Sequence, residues 1–189
     1  MHLVIFDLET TGLSPARHEI IQIAAIRMRA GRILTEETFA TFVQPTQPIP
    51  AQISGYTGIT RAHVGDAPRP AEALVAFSRF VGDATLVAHN GHRFDLPFIH
   101  ATCARHALPV RPVTYIDSLA LSRQLWGGRG GHGLDAVMAR LCLSLPDARR
   151  HDARGDVQIL AETVRQMWSQ LSPDFQTCPV TRNPGSIAQ

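Results

Sequence analysis

Leu3-Val4-Ile5-Phe6-Asp7-Leu8-Glu9-Thr10-Thr11-Gly12 is the stretch whose reading decides the fold. Leu3 to Phe6 favour a buried strand, and Thr-Thr-Gly ends it in a polar turn. Side chains alternate along a strand, so Asp7 and Glu9 share a face about 7 Å apart. One hard cation fits between them. Two like charges on an apolar strand are costly without a counter-ion, so the pair implies a metal or an unusual salt bridge. Taken alone, the same residues read equally well as a strand end running into a turn.

Two later clusters complete the pattern. Thr85 to Ala88 is a short β-type run followed by His89-Asn90-Gly91-His92-Arg93-Phe94-Asp95-Leu96-Pro97. Pro97 is tolerated only in a helix's first turn, so Asp95 is expected at or just before a helix start, where the dipole favours a carboxylate. Capping alone would also explain an Asp there, and capping is compatible with catalysis. The third cluster, His151-Asp152-Ala153-Arg154-Gly155-Asp156, precedes Val157, Leu160, Ala161, Val164, Met167, Trp168 and Leu171 at helical spacing. Asp156 therefore falls in the first turn of an amphipathic helix, with His151 in the loop before it.

The order Asp-x-Glu-Thr-Thr-Gly, then His-Asn with Phe-Asp, then His with an Asp five residues on, resembles the three motifs of the DEDDh 3′–5′ exonucleases. These are the relatives of the DNA polymerase III epsilon subunit. The likeness extends through Gly58-Ile59-Thr60, Asp66-Ala67-Pro68, Asp117-Ser118-Leu119 and Leu134-Asp135-Ala136, over about residues 1–171. It implies Asp7, Glu9, Asp95 and Asp156 as the acidic, metal-binding set and His151 as general base. It also implies that the Thr10 backbone binds the terminal 3′-hydroxyl and that Leu13 wedges against the last base. For those two residues, turn capping and core packing are the simpler alternatives. His89 and Asn90 are candidate substrate contacts, with shaping of the loop that presents Asp95 as the stronger reading. His89 and Asp95 are six residues apart, where epsilon-like members usually have five. Asn90-Gly91-His92-Arg93-Phe94-Asp95 is closer to the TREX-type version.

Composition suits one domain with a substantial core: 189 residues, 44% hydrophobic, net charge +2. No apolar run approaches the ~20 residues of a membrane span, and the N-terminus starts directly in a strand, so neither a membrane anchor nor a signal peptide is expected. Cys103, Cys142 and Cys178 lack metal-ligand or disulfide spacing, which points to a reducing cytoplasm. All 18 basic residues are arginine. The modest charge argues against a broad nucleic-acid wrapping surface and suits a compact site for a strand end.

Glu19 to Met28 and Ile33 to Val43 read as two further strands turning at Ala30-Gly31-Arg32. Pro45, Pro48 and Pro50 mark a loop, a helix spans about 69–81, and strand 85–88, a helix at about 95–106, a strand at 113–116 and three more helices follow. The expectation is an α/β fold of ribonuclease H-like architecture, with a mixed five-stranded sheet and helices on both faces. The exonuclease domain should span 1–171, with 172–189 a flexible tail. Gly127-Gly128-Arg129-Gly130-Gly131-His132-Gly133 lacks the Lys-Ser/Thr of a phosphate loop and reads as a flexible connector. Gln170 to Phe175 faintly resembles a sliding-clamp-binding peptide, but Pro173 stands where a leucine is expected.

Phosphodiester hydrolysis requires a nucleophile at neutral pH, neutralisation of charge on phosphorus and help for the departing 3′-oxygen. Two divalent cations about 3.5–4 Å apart supply all three, and Mg²⁺ or Mn²⁺ suits an all-carboxylate site. Asp7 is expected to be shared by both cations, Glu9 and Asp156 to serve the one nearer the attacking water, and Asp95 the other. The partner is then a single-stranded or frayed 3′ end, DNA before RNA, with a DNA polymerase or sliding clamp as a further partner. The alternatives are an RNA-trimming exoribonuclease, a non-catalytic binding subunit that keeps the fold, and an endonuclease of the same broad fold.

Overall fold

The computed structural model describes residues 1–128, 130–144, 152–171 and 182–189. His151, most of the clamp-like stretch and Cys178 lie outside the described residues. Strand β1 (His2–Thr10) turns into β2 (Ile20–Arg29) and β3 (Arg32–Phe42) as an antiparallel meander. Helices α1 (Ala51–Thr57), α2 (Arg61–Val64) and α3 (Pro70–Val81) follow, then β4 (Thr85–Ala88), α4 (Asp95–Arg105) and β5 (Val110–Asp117). Helices α5 (Ser118–Trp126), α6 (Leu134–Arg140) and α7 (Ala153–Gln170) lead to β6 (Arg182–Ala188).

The sheet order is β3-β2-β1-β4-β5-β6, with β1, β4 and β5 parallel to one another and the other pairings antiparallel. Being central, β1 is buried on both faces, which is why its sequence is a continuous apolar run instead of an alternation. Its even residues Val4, Phe6 and Leu8 pack with α3 and α4 residues such as Leu74, Phe77, Phe98 and Ile99. Its odd residues Leu3 and Ile5 pack with Leu160, Val164 and Met167 of α7. Helices thus cover both faces of a mixed α/β sheet. None of the described helices is long and apolar enough to cross a membrane.

Three features correct the sequence expectation. Among the described residues the sheet has six strands, not five, because residues 182–188 pair antiparallel with β5 from Val110↔Ala188 to Ile116↔Arg182. That part of the expected flexible tail is therefore ordered: Ile187 and Ala188 are buried in the core cluster, and Gln189 N–H donates to the Pro109 carbonyl at 2.8 Å. An edge strand accepts Pro184 and Gly185, which the interior of a sheet would not. Helices α1 and α2 lie between the proline-marked loop and the helix expected at 69–81, where no element was expected. They bury Ile59 and Val64 with Ile21 of β2 in a small separate cluster. The glycine-rich connector is pinned by buried His132, whose ring nitrogens bond to Ser122 Oγ at 3.0 Å and the Gly127 carbonyl at 2.9 Å.

Candidate active site

β1 carries its odd side chains toward α7, so Asp7 and Glu9 extend the Leu3-Ile5 row past the apolar core to the carboxyl end of the strand. Asp156 arrives from the first turn of α7, and oxygen atoms of Asp7, Glu9 and Asp156 lie within 4.8 Å of one another. Parallel α/β sheets place ligands at the carboxyl ends of their strands, and these carboxylates stand there.

Asp95 reaches the same end from the other side and stands outside that trio. Its pairing partner on β1 is backbone, not carboxylate. β4 pairs with β1 only as far as Ile5↔Val87, so farther along β1 the Leu8 amide is open to Asp95 and bonds its carboxylate. Asp95 is only 3% exposed, and its Oδ1 is buried without a hydrogen-bond partner. Burial, helped by the charge of Asp117, pushes its pKa up to about 7 against the amide hydrogen bonds that oppose the shift.

The loop presenting Asp95 is shaped from β5. Asp117, 7% exposed, accepts from the backbone N–H groups of Asn90 at 2.9 Å, His92 at 3.3 Å and Leu119 at 3.0 Å. Asn90 adopts a left-handed φ of 58°, a conformation Asn tolerates better than most residues. Gly91 is required by close approach: a Cβ there would stand 2.7 Å from the Ala88 Cβ and the Tyr115 hydroxyl and 3.1 Å from Asp95 Oδ2. Burial and the nearby Asp117 and Asp95 charges push the Tyr115 phenol far up, so it keeps its proton. His89 Nδ1 bonds Ser118 Oγ at 2.9 Å. Ser118 and Asp117 thus tie His89 and Asn90 to the corner where β5 passes into α5.

Thr10 and Leu13 lie on the loop after β1. Thr10 Oγ1 donates to the Gly12 carbonyl at 2.7 Å, so its side chain caps the turn. Leu13 is 83% exposed, which rules out core packing. The loop is held from several sides: Thr11 N–H donates to the Glu19 carbonyl at 2.8 Å, Glu19 N–H to Thr11 Oγ1 at 3.0 Å, and Arg105 Nη2 to the Pro15 carbonyl at 2.9 Å. His18 lies so close over Gly12 that a Cβ would meet its ring at 2.6–2.8 Å.

The sequence reading missed Gln22 as a site neighbour. Gln22 lies opposite Glu9 on β2, is 1% exposed, and hydrogen-bonds the start of α7 at Asp152 and Ala153. A signal was present: one carboxamide within the run Ile20-Ile21-Gln22-Ile23-Ala24. Asp152 stays ionised. Burial alone would raise its pKa, but hydrogen bonds and charge from Arg154, with the Gln22 amide, hold it below the ordinary value.

The donor set fits a divalent cation that prefers oxygen. Among the described residues three carboxylates converge without cysteine or a cluster of histidines, and the orphaned Asp95 oxygen is a buried acceptor that a cation would satisfy.

A family model described as RNase T, exonuclease, matches residues 4–164. The chain is 43% identical over 174 residues to a DNA polymerase III subunit epsilon-like protein of Rhodobacter capsulatus, an alignment covering 89% of this chain and 24% of the relative. The chain spans a quarter or less of the length of the curated relatives it matches first. Among solved structures it is similar to exonuclease X in complex with 5′-overhanging duplex DNA, at 27% identity and a TM-score of 0.69, covering 88% of this chain and 91% of that one. It also shares the fold of the nuclease domain of 3′hExo, a DEDDh family member bound to rAMP, at 19% identity and a TM-score of 0.79, covering 89% and 92%.

Proposed function

We propose, from the premise that the chain belongs to the RNase T family of 3′–5′ exonucleases, that it removes nucleotides singly from single-stranded or frayed 3′ ends of DNA. The product would be nucleoside 5′-monophosphates. The observation that carries this reading is the convergence of Asp7, Glu9 and Asp156 within 4.8 Å at the sheet's carboxyl end, beside buried Asp95.

Asp7, Glu9 and Asp156, with Asp95, would hold two divalent cations, Mg²⁺ or Mn²⁺, with Asp7 shared. When bound, the cations would offset charge on phosphorus, favour ionisation of the attacking water and stabilise the departing 3′-oxygen. His151 precedes the α7 cap by one residue. It would take the water's proton on an imidazole nitrogen, a role suited to its ordinary pKa near 6.5. The Thr10 backbone would bind the terminal 3′-hydroxyl. Leu13, exposed on its pinned loop, would lie against the last base. His89 and Asn90 would serve by shaping the Asp95 loop.

DNA is favoured by the name of the polymerase III epsilon-like relative and by the duplex DNA bound to exonuclease X. The rAMP held by 3′hExo supports RNA trimming as the second reading. A DNA polymerase is the protein partner that the relative's name suggests, and a sliding clamp comes after it. A reducing cytoplasm fits Cys103 and Cys142, both free thiols.

The test is a degradation panel with Mg²⁺ and with EDTA. Linear 5′-labelled single-stranded DNA, duplex DNA with a mismatched end, RNA, a 3′-phosphorylated strand and a closed single-stranded circle would be compared. The linear DNA should shorten in single-nucleotide steps, while the 3′-phosphorylated strand and the circle resist. Cutting of the circle at the linear rate would replace the exonuclease reading by an endonuclease one. Faster loss of RNA would install the second reading. His151→Ala should lose about 10²–10⁴-fold in rate together with the rise of kcat/KM through the imidazole pKa. An unchanged pH profile in that variant would remove His151 from the chemistry.

A further inference from the structure

We infer that Gln22 is a positioning residue for the catalytic site: its carboxamide clamps the first turn of α7 to β2 and so sets Asp156 against Asp7 and Glu9. The inference rests on the exonuclease reading above and goes beyond its ligand set.

Paired residues on antiparallel strands point to the same side of a sheet, so Gln22, opposite Glu9, faces α7 together with Ala24, Ile26 and Met28. The other three positions are apolar and pack on the helix. Gln22 is 1% exposed and uses both ends of its amide. Nε2 donates to Asp152 Oδ1 at 3.0 Å, and Oε1 accepts from the Ala153 backbone N–H at 3.0 Å. Asp152 is the helix cap, accepting from Arg154 N–H at 3.1 Å, and Asp156 N–H donates to the Asp152 carbonyl at 2.9 Å. The residue held by Gln22 is thus bonded directly to the backbone of the residue carrying the third carboxylate.

An isolated apolar contact could slide along the helix axis, whereas a donor and an acceptor on one rigid amide match only one position of the helix start. A partner this far away in sequence is needed because Asp156 must meet a strand laid down at the other end of the chain.

The test compares Gln22→Met, Gln22→Glu and the reciprocal pair Gln22→Glu/Asp152→Asn in the full chain. Gln22→Met keeps length but loses both bonds. Gln22→Glu keeps the acceptor for Ala153 N–H and sets a carboxylate against Asp152. The double variant restores a donor–acceptor pair in the opposite sense at the original net charge.

For both single variants, kcat should fall about 10–100-fold, as for residues that orient metal ligands, while KM for a single-stranded 3′ end stays within about 3-fold. Mn²⁺ affinity measured by calorimetry without substrate should fall by a similar factor. Ala153 amide exchange should accelerate in Gln22→Met. The double variant should recover most of the kcat and the Mn²⁺ affinity.

Wild-type Mn²⁺ affinity in Gln22→Met, or a double variant no better than Gln22→Glu, would overturn the clamp. So would losses that follow only a lower fraction of folded protein. If wild type binds Mn²⁺ and Gln22→Met does not, yet no nucleic acid is degraded, the clamp stands and the exonuclease reading fails.

Discussion

Asp7, Glu9 and Asp156 meet on the α7 side of the sheet, with Asp7 and Glu9 partly exposed, whereas Asp95 stands on the α4 side, 3% exposed, beside Tyr115 and Asp117. The first group is assembled from the two ends of the chain, and Gln22 bonds the helix that brings Asp156. The second is assembled locally, its loop wrapped on the Asp117 carboxylate. The difference is electrostatic as well as topological. Asp7 and Glu9 keep partial contact with solvent, while burial and the Asp117 charge favour the protonated form of Asp95. A bound cation would reverse that preference, so on the proposed function Asp95 would be the half of the site that responds to metal.

The largest effect should come from the trio. Asp7→Asn should reduce turnover to background while leaving stability equal or higher, because a carboxylate repulsion disappears. Activity measured beside a denaturation curve decides it. A folded, fully active Asp7→Asn would break the division between the halves, since the trio would then not be the reacting half.

Asp117→Ala should act through the loop. Three backbone N–H groups would lose their acceptor, and each buried unpaired donor costs about 1–3 kcal/mol, so a net loss of about 2–4 kcal/mol in urea denaturation is expected after partial hydration. Asp117→Asn, which keeps one acceptor oxygen, should fall between. Equal stability of all three proteins would mean that the Asp95 loop holds its own shape.

Asp95→Asn sharpens the electrostatic contrast. Between the ordinary value of 3.8 and about 7 the unfolded chain releases the Asp95 proton and the folded chain keeps it. The folded state then binds more protons, so stability falls as pH rises through this window and levels above it. Asn carries no such proton. In EDTA the variant should match wild type near pH 4 and exceed it by about 1–3 kcal/mol at pH 7–8. Added Mn²⁺ should narrow the gap by stabilising wild type. A difference independent of pH would show that Asp95 does not titrate in this range.

The smallest effect is expected at Leu13, outside both halves. At 83% exposure it supports no core, so Leu13→Ala should change stability by less than about 0.5 kcal/mol. KM for a 3′ end should rise about 5-fold, equivalent to ~1 kcal/mol of lost contact. An unchanged KM would leave the loop without a role in binding.

Much of this arrangement is legible in the residues. The apolar run before Asp7, the limit Pro97 sets on α4, and the helical spacing after Asp156 each place a carboxylate on a definite element, because period and proline sterics are local properties. β6 is not legible: Arg182-Asn183-Pro184-Gly185-Ser186 has little strand propensity, and only the open edge of β5 makes it a strand. The short α1 and α2 likewise depend on what Ile21 offers them to pack against. Gln22 shows the same limit inside the site. One amide in an apolar strand announces a buried partner but does not say which.

The sequence by itself determined the four carboxylates, the elements that carry them and the α/β class, since strand alternation, helix periodicity and turn chemistry act over a few residues. Only the tertiary structure decided that Asp156 joins Asp7 and Glu9 while Asp95 stays buried beside Leu8 and Asp117, and that the sheet has a sixth strand. Those outcomes depend on desolvation and on pairing between segments more than a hundred residues apart in the case of Gln22 and Asp152, where |i−j| is 130. Neither the dielectric surroundings of a carboxylate nor the partner of a buried amide exists until the chain has closed around it.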